Sequence, residues 1–229
     1  MPNQIRVIQD VLSANDAIAA RNKELLDAYN ILTLNIMASP GAGKTSLVMS
    51  TIRKLQGQLR CGVIEGDVAS SVDAEKVATL GVPVVQINTG GGCHLEARQV
   101  QYALADLPLG EIDLLMIENV GNLICPTAFL LGEALRIAVA SVPEGDDKPL
   151  KYPALFHQAH AIALNKIDLA PYIDFNLPAF RERVAGLNPN APIFEVSCTT
   201  GEGLDAWADW LREMYRQRRS NGQDKATGQ

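Results

Sequence analysis

The chain has 229 residues, of which 47% are apolar and 20% charged, a composition that suits one compact globular domain. Its formal net charge of −6 argues against a nucleic-acid binder, which carries a basic face. The stretch from Met1 to Ala20 lacks the basic-then-apolar pattern of a signal peptide, and no run reaches the ~18 apolar residues of a membrane span, so the reading is a cytoplasmic protein that binds neither nucleic acid nor membrane.

Asn3 to about Tyr29 has the pattern of an amphipathic helix, and Ser13 with Asp16 has the spacing of a capping box. "ILTLNIMA" (Ile31 to Ala38) is short, apolar and partly β-branched, as a buried strand is. "KTSLVMSTIRKLQ" reads as a helix, "CGVIEGD" as a strand, and Val72 to Leu80 as a helix. The alternation continues through strand "VPVVQINT", helix "HLEARQVQYALADL" and strand "IDLLMIEN". Strands "RIAVASV", "AIALNKID" and "PIFEVSC" follow, then a helix through "LDAWADWLREMYRQ". "PEGDDKPLKYP" reads as a charged, exposed loop. Apolar strands separated by helices imply an α/β fold whose mostly parallel sheet is covered by helices on both faces. The domain organisation is a helical segment, 1–30, packed on a main domain, 31–215, with a polar, disordered tail at 216–229.

"ASPGAGKTS" ends the first strand and opens a helix, the context of a P-loop. Main-chain N–H groups of Gly41, Ala42 and Gly43 can wrap a phosphate at the helix N-terminus, with Ser46 in the first turn. Lys44 would reach the β- and γ-phosphates, and the Thr45 hydroxyl would ligate Mg²⁺. Ala38 stands where the pattern begins with Gly, which removes positive-φ freedom there. The alternative is a Gly-rich turn with a chance Lys-Thr. "NKID" (Asn165, Lys166, Asp168) ends a later strand and is the pattern of guanine-binding GTPases. An Asp168 carboxylate can accept from the ring N1–H and the 2-amino group of guanine, a donor pair adenine lacks. Ser197 and Cys198 in "VSCTTGEGL" occupy the place of a further base-binding loop.

Between these motifs lie two acidic strand ends. Asp67 is the candidate direct or water-mediated Mg²⁺ ligand, with Asp73 and Glu118 as water-positioning groups beside it. Glu65 reads as an ordinary exposed or paired carboxylate. The loops after Asp67 and around Gly121 are the candidate nucleotide-ordered segments. No glutamine stands out to orient water, which implies slow hydrolysis.

The chain has only three histidines and four cysteines, yet Cys93 and His94 are adjacent, after a glycine run. Cys125 follows the next strand, so topology brings it to the same sheet edge as Cys93, His94 and the P-loop. Cys93 is expected to open a helix whose dipole favours a thiolate, and His94 supplies an imidazole. Three ligands are one short of a closed zinc site, so water or a second chain would complete it; sulfur and nitrogen suit Zn²⁺, and a square-planar arrangement would suit Ni²⁺. The alternative reading makes Cys93 and Cys125 small buried hydrophobes and His94 a helix cap. His157 and His160 have no assigned role, Trp207 and Trp210 read as packing residues, and Cys61 as buried.

Together "SPGAGKTS", "EGDVASSVDAEK", "GGGCHLEA", "IENVGNLICP", "VPEGDDKPLKYP" and "LNKIDL" resemble the HypB family of hydrogenase nickel-incorporation GTPases over about Ile31 to Leu211. The resemblance implies a SIMIBI-like P-loop GTPase that turns GTP into GDP with Mg²⁺ and assists nickel delivery to [NiFe]-hydrogenase. It implies a Ni²⁺ or Zn²⁺ site at Cys93, His94 and Cys125, linked to a nucleotide-dependent homodimer. The implied partners are a HypA-type nickel chaperone and the hydrogenase large-subunit precursor. Some members carry an N-terminal Cys-rich or His-rich nickel motif; this chain has no cysteine before Cys61 and no histidine before His94. A urease-type accessory GTPase is the neighbouring alternative, and the Cys-Pro-His motif typical of that group is absent. A zinc-stapled storage dimer with vestigial nucleotide binding is the alternative from a different class. An ATP-dependent kinase is disfavoured by Asp168.

Overall fold

The computed structural model describes residues 10–227. Its core is one seven-stranded, fully parallel sheet: β1 (Leu32–Met37), β2 (Cys61–Asp67), β3 (Val84–Asn88), β4 (Leu114–Glu118), β5 (Leu135–Ser141), β6 (Ala161–Asn165) and β7 (Ile193–Glu195), in the order β3-β2-β4-β1-β5-β6-β7. Side chains alternate across a strand, so each needs apolar residues in both registers to be buried on both faces. In β4, Leu114 and Met116 join the core that contains Leu47, Leu55 and Trp207, whereas Leu115 and Ile117 join the one that contains Leu26, Leu95 and Leu104. A third cluster, around Phe156 and Phe180, covers the β5–β6 end of the sheet.

The helices are α1 (Asp10–Ala28), α2 (Lys44–Leu55), α3 (Val72–Ala78), α4 (Ala97–Ala105), α5 (Lys148–Lys151), α6 (Pro153–Gln158), α7 (Leu177–Leu187) and α8 (Leu204–Thr227). Helix α1 packs on α4, and α2 on α8. Among the described residues no helix is long and apolar enough to cross a membrane. Trp207 is fully buried, and its indole N–H donates to Thr51 Oγ1 at 2.8 Å.

Four expectations need correction. Helix α1 already runs from Asp10, so Ser13 and Asp16 lie within the helix rather than at its cap; residues 3–9 lie outside the described ones. Helix α4 begins at Ala97, not His94. Glu96 is its cap residue, and its backbone N–H donates to Gln99 Oε1 at 2.9 Å. The loop from Pro143 to Pro153 is folded: a 3-10 turn (Val142–Glu144) leads into α5, and Pro149 is buried. Glu144 accepts from Ser141 (2.7 Å) and from Ser39 of the P-loop, and Asp146 pairs with Arg183, which pins the segment to its surroundings. Finally, α8 continues through Thr227 where a disordered tail was expected. Pairs spaced three residues apart, Asp209–Arg212 and Glu213–Arg216, support its polar surface, and Arg218 crosses to Asp27 of α1 at 2.5 Å.

Candidate functional site

Strand β1 lies mid-sheet and delivers the turn 38–46 to the carboxyl edge, where parallel strands leave a crevice. Gly41 and Gly43 have φ of 77° and 96°, and Gly43 is followed directly by α2. Ala38 is buried and has no positive φ, so the departure from a leading Gly costs the turn nothing. A cleft of about 430 Å³ opens over this turn, bordered by Lys44, Thr45, Asp67, Asp73, Glu118 and Lys166 among others. Gly121 closes its rim: a Cβ there would come within 3.0 Å of the Pro40 ring.

The polar chemistry of the cleft centres on Glu118. Thr45 Oγ1 donates to Glu118 Oε1 at 3.0 Å, and Lys44 Nζ lies 3.9 Å from the same oxygen. Glu65 stands beside it, because β2 and β4 pair Glu65 with Glu118 in register. Both are buried. Loss of hydration and the Glu118 charge hold the Glu65 carboxyl well above the usual carboxylate range; burial also raises Glu118, against the pull of Lys44. Glu65 is therefore a buried neighbour of Glu118, not a surface carboxylate. Glu65 Oε1 and Glu118 Oε2 are buried without a hydrogen-bond partner. Asp67 Oδ1 accepts from the backbone of Ala69 (2.9 Å) and Ser70 (2.7 Å), bonds that hold its carboxyl below the ordinary range. Asp73 reaches the same cleft from α3 and pairs with Lys76 at 2.8 Å.

The Asn165–Asp168 loop is wired to the P-loop. Asn165 Nδ2 donates to Ala42 O (3.1 Å), while its Oδ1 accepts from Lys166 N (2.8 Å) and Cys198 N (3.3 Å). Lys166, with a φ of 62°, donates from Nζ to Gly41 O at 2.7 Å. Ser197 is buried and its hydroxyl accepts from Thr200 N at 3.1 Å. Burial pushes the Cys198 thiol up. Asp168 Oδ1 is buried without a hydrogen-bond partner.

The three candidate metal ligands converge. One ligand atom from each of Cys93, His94 and Cys125 lies within 4.8 Å of the other two. Cys93 Sγ is 3.6 Å from His94 Nδ1, and Asn122 Nδ2 donates to Cys125 Sγ at 3.5 Å. The His94 ring stacks on Phe129, centroids 3.8 Å apart, and its Nε2 is buried without a partner. Burial lowers the His94 pKa and so favours the neutral, ligating imidazole. The helix-dipole argument for a Cys93 thiolate fails, since α4 starts beyond it. Proximity to Cys125 instead pushes the Cys93 thiol up, as it does when two thiols share a proton. A cation between them is what would favour the thiolates.

Residues that sequence reasoning missed join the two sites. Asn119 borders the nucleotide cleft, and its Oδ1 accepts from the backbone of Leu95, next to His94 (3.1 Å). Its Nδ2 donates to Asn35 Oδ1 (3.1 Å), and Asn35 reaches Glu133 (3.4 Å). Glu133 accepts from Leu131 N and Arg136 Nε, both at 2.7 Å, and Arg136 also donates to Thr127 O at 3.1 Å. Asn35, Asn119 and Arg136 are buried; polar residues inside an apolar strand were the available signal. The remaining histidines serve structure: His160 Nδ1 accepts from Arg136 N (3.0 Å), and His157 Nδ1 lies 3.0 Å from Leu187 O. Burial pushes the Cys61 thiol up to about 12.

Fold and site together define a P-loop nucleotide-binding protein with a thiol–imidazole cluster tied through Asn119 to its nucleotide cleft. The model of the CobW/HypB/UreG nucleotide-binding domain matches residues 32–195. The hydrogenase maturation factor HypB of Azotobacter vinelandii is 48% identical over 92% of this chain and 69% of its own length. The crystal structure of HypB from Helicobacter pylori in complex with nickel superposes with a TM-score of 0.85 at 38% identity, over 89% of this chain and 96% of that one. The crystal structure of HypB from Archaeoglobus fulgidus gives 0.84, also at 38% identity, over 89% of this chain and 100% of that one. The chain belongs to the CobW/HypB/UreG family and, within it, to the HypB hydrogenase maturation factors.

Proposed function

We propose that the chain is a GTP-hydrolysing metallochaperone that takes nickel or zinc at Cys93, His94 and Cys125 and assists nickel insertion into [NiFe]-hydrogenase. The observation that carries the reading is the convergence of these three ligands within 4.8 Å, on loops tied through Asn119 to the rim of the nucleotide cleft. Asp168, with a buried and unpartnered oxygen, supports guanine as the base. Gly41, Ala42, Gly43, Thr45 and Ser46 surround the phosphates, Lys44 reaches the transferred one, and Asn165, Lys166, Ser197 and Cys198 shape the base loop. Thr45 and Asp67 would hold Mg²⁺; the buried, unpartnered Oε2 of Glu118, on the carboxylate that anchors Thr45, fits a cation or its water there. Mg²⁺ would supply charge neutralisation to the β- and γ-phosphates. Asp73 and Glu118 are the groups able to orient the attacking water, and with no glutamine beside them the intrinsic rate is slow. A HypA-type chaperone and the hydrogenase large-subunit precursor are the proposed partners, in the cytoplasm.

Three ligands from one chain leave a fourth position for water or for a second copy, so the active form is proposed as a nucleotide-dependent homodimer. The test is metal content per chain together with molar mass, with GDP and with a non-hydrolysable GTP analogue. A dimer and a changed stoichiometry with the analogue, both lost in Cys93→Ala, are expected. Mass and metal content indifferent to the nucleotide would refute the switch.

A further inference from the structure

We infer that Asn15 and Asn22 of α1 are positioning residues for the Cys93–His94–Cys125 cluster, clamping together the two loops that carry its ligands. The inference rests on the metal-site reading above and names residues that touch neither the metal ligands nor the nucleotide cleft. Each amide bridges both loops by itself. Asn15 Oδ1 accepts from Ala97 N at 2.8 Å, and its Nδ2 donates to Leu130 O at 2.8 Å. Asn22 Nδ2 donates to Ala97 O at 2.8 Å and to Leu131 O at 3.0 Å. Ala97 closely follows His94. Leu130 and Leu131 directly follow Phe129, whose ring lies on the His94 imidazole. Fixing Ala97 against Leu130 and Leu131 therefore fixes His94 against Phe129, and with them the gap to Cys125.

The arrangement is more specific than adhesion of a helix. Both asparagines are buried, at 7% and 1% exposure, and a buried amide is tolerated only when it is hydrogen-bonded. An apolar face would glue α1 to α4 without setting a distance, whereas four short, directional bonds set one. Asn15 and Asn22 lie two turns apart on one face of α1, so one rigid helix carries both halves of the clamp. Close approach is built in at Gly132, which has a φ of 102°; a Cβ there would lie 2.7 Å from Asn22 Cβ and 2.9 Å from Ala19 O.

The test uses the full chain. Ni²⁺ is titrated in, and binding is followed by thiolate-to-nickel charge-transfer absorption and by competition with a chelator. Asn22→Ala removes two bonds; Asn15→Asp keeps the acceptor for Ala97 but sets a carboxylate oxygen against Leu130 O. Both variants are expected to bind Ni²⁺ about 10- to 100-fold more weakly, the range for residues that orient metal ligands, with a shifted absorption band and unchanged GDP affinity. A folded variant with wild-type affinity and spectrum overturns the clamp. Should Asn22→Ala fail to melt cooperatively, Asn15→Asp decides. Cys93→Ala separates the two readings. If the wild-type chain has no band that depends on Cys93, the metal reading fails and the clamp with it; if such a band exists and ignores both asparagines, the clamp alone fails.

Discussion

Asp168→Asn puts the guanine reading to a quantitative test. Asp168 Oδ1 has no hydrogen-bond partner within the protein, so the change removes no bond at this oxygen that the fold itself uses. The expected shift in apo melting temperature is within ~2 °C, the change that ~1 kcal/mol or less gives a domain of this size. With guanine bound, the carboxylate would accept two donors, N1–H and the 2-amino group. Hydrogen bonds to a charged group are worth about 1.5–3 kcal/mol each. An asparagine can accept from only one of the two and turns its own NH₂ toward the other. A loss of ~2–4 kcal/mol follows, about 30- to 1000-fold in GDP affinity. Xanthine carries a carbonyl where guanine carries the amino group, which matches the asparagine NH₂ and restores the second bond. The assay is calorimetric titration of wild type and variant with GDP and xanthosine diphosphate. Preference should invert. If both affinities fall together, or the apo protein melts much lower, Asp168 supports the loop rather than reading the base.

Two further predictions rest on other parts of the molecule. Gly43→Ala forces a side chain into a φ of 96° and its Cβ into Asn165 Nδ2, which donates to Ala42 O; positive-φ strain of ~1–3 kcal/mol and a lost bond of ~1 kcal/mol should lower the melting temperature by roughly 5–15 °C. A melting curve within 2 °C of wild type (a margin of about 1 kcal/mol or less) would show that the phosphate turn and base loop are not packed as described. Asp113 accepts from Arg60 Nη2 (2.8 Å) and Tyr215 (2.9 Å), and chiefly the Arg60 bond holds its carboxyl down to about 2, against a normal 3.8. A depressed carboxylate stabilises above its unfolded pKa and loses that contribution as pH falls through the folded one. The stability difference between wild type and Asp113→Asn should therefore be full above about pH 5, shrink as pH falls through 3.8, and vanish only below about pH 2; a difference independent of pH in that window would contradict the pairing.

The strands and their parallel order were readable because a sheet covered on both faces demands unbroken apolar runs, and "CGVIEGD" became β2 residue for residue. The strand–turn–helix setting of the P-loop and the place of "NKID" at the end of β6 were readable because both patterns are local, carried by neighbouring residues at fixed spacing. Topology placed Cys93, His94 and Cys125 on one edge, since loops after parallel strands emerge there, and the structure adds their approach to within 4.8 Å. What failed was also local. Glu96 and Gln99 form a better helix start than His94, and that moved α4 out of reach of Cys93. The polar end of α8 looked like a tail because no apolar stripe marks it; ion pairs hold its first residues, Arg216 to Glu213 and Arg218 to Asp27. Glu65 was undervalued because its partner, Glu118, comes from a different strand, and only register brings them together. The asparagines were silent for the same reason: an amide that bridges residue 97 to residue 130 leaves no trace in spacing.

Those silent residues set the terms of any coupling between the two sites. Coupling is a free energy that must act equally in both directions, so metal can alter nucleotide affinity only as much as nucleotide alters metal affinity. It also needs groups whose arrangement both ligands bias. Asn119 is placed for this. Its backbone continues directly from Glu118, which holds Thr45, and its side chain holds Leu95 beside His94. A shift of Glu118 toward a ligand at Thr45 would draw on the same peptide that fixes the His94 loop. Asn15 and Asn22 anchor that loop from the opposite side, on a helix that carries no nucleotide contact. The His94 loop is thus held between one anchor that borders the nucleotide cleft and one that does not. If α1 keeps its place, a displacement at Asn119 would change the gap between Cys93 and Cys125. Loosening α1 would let the whole cluster follow the cleft and would weaken the coupling along with the affinity.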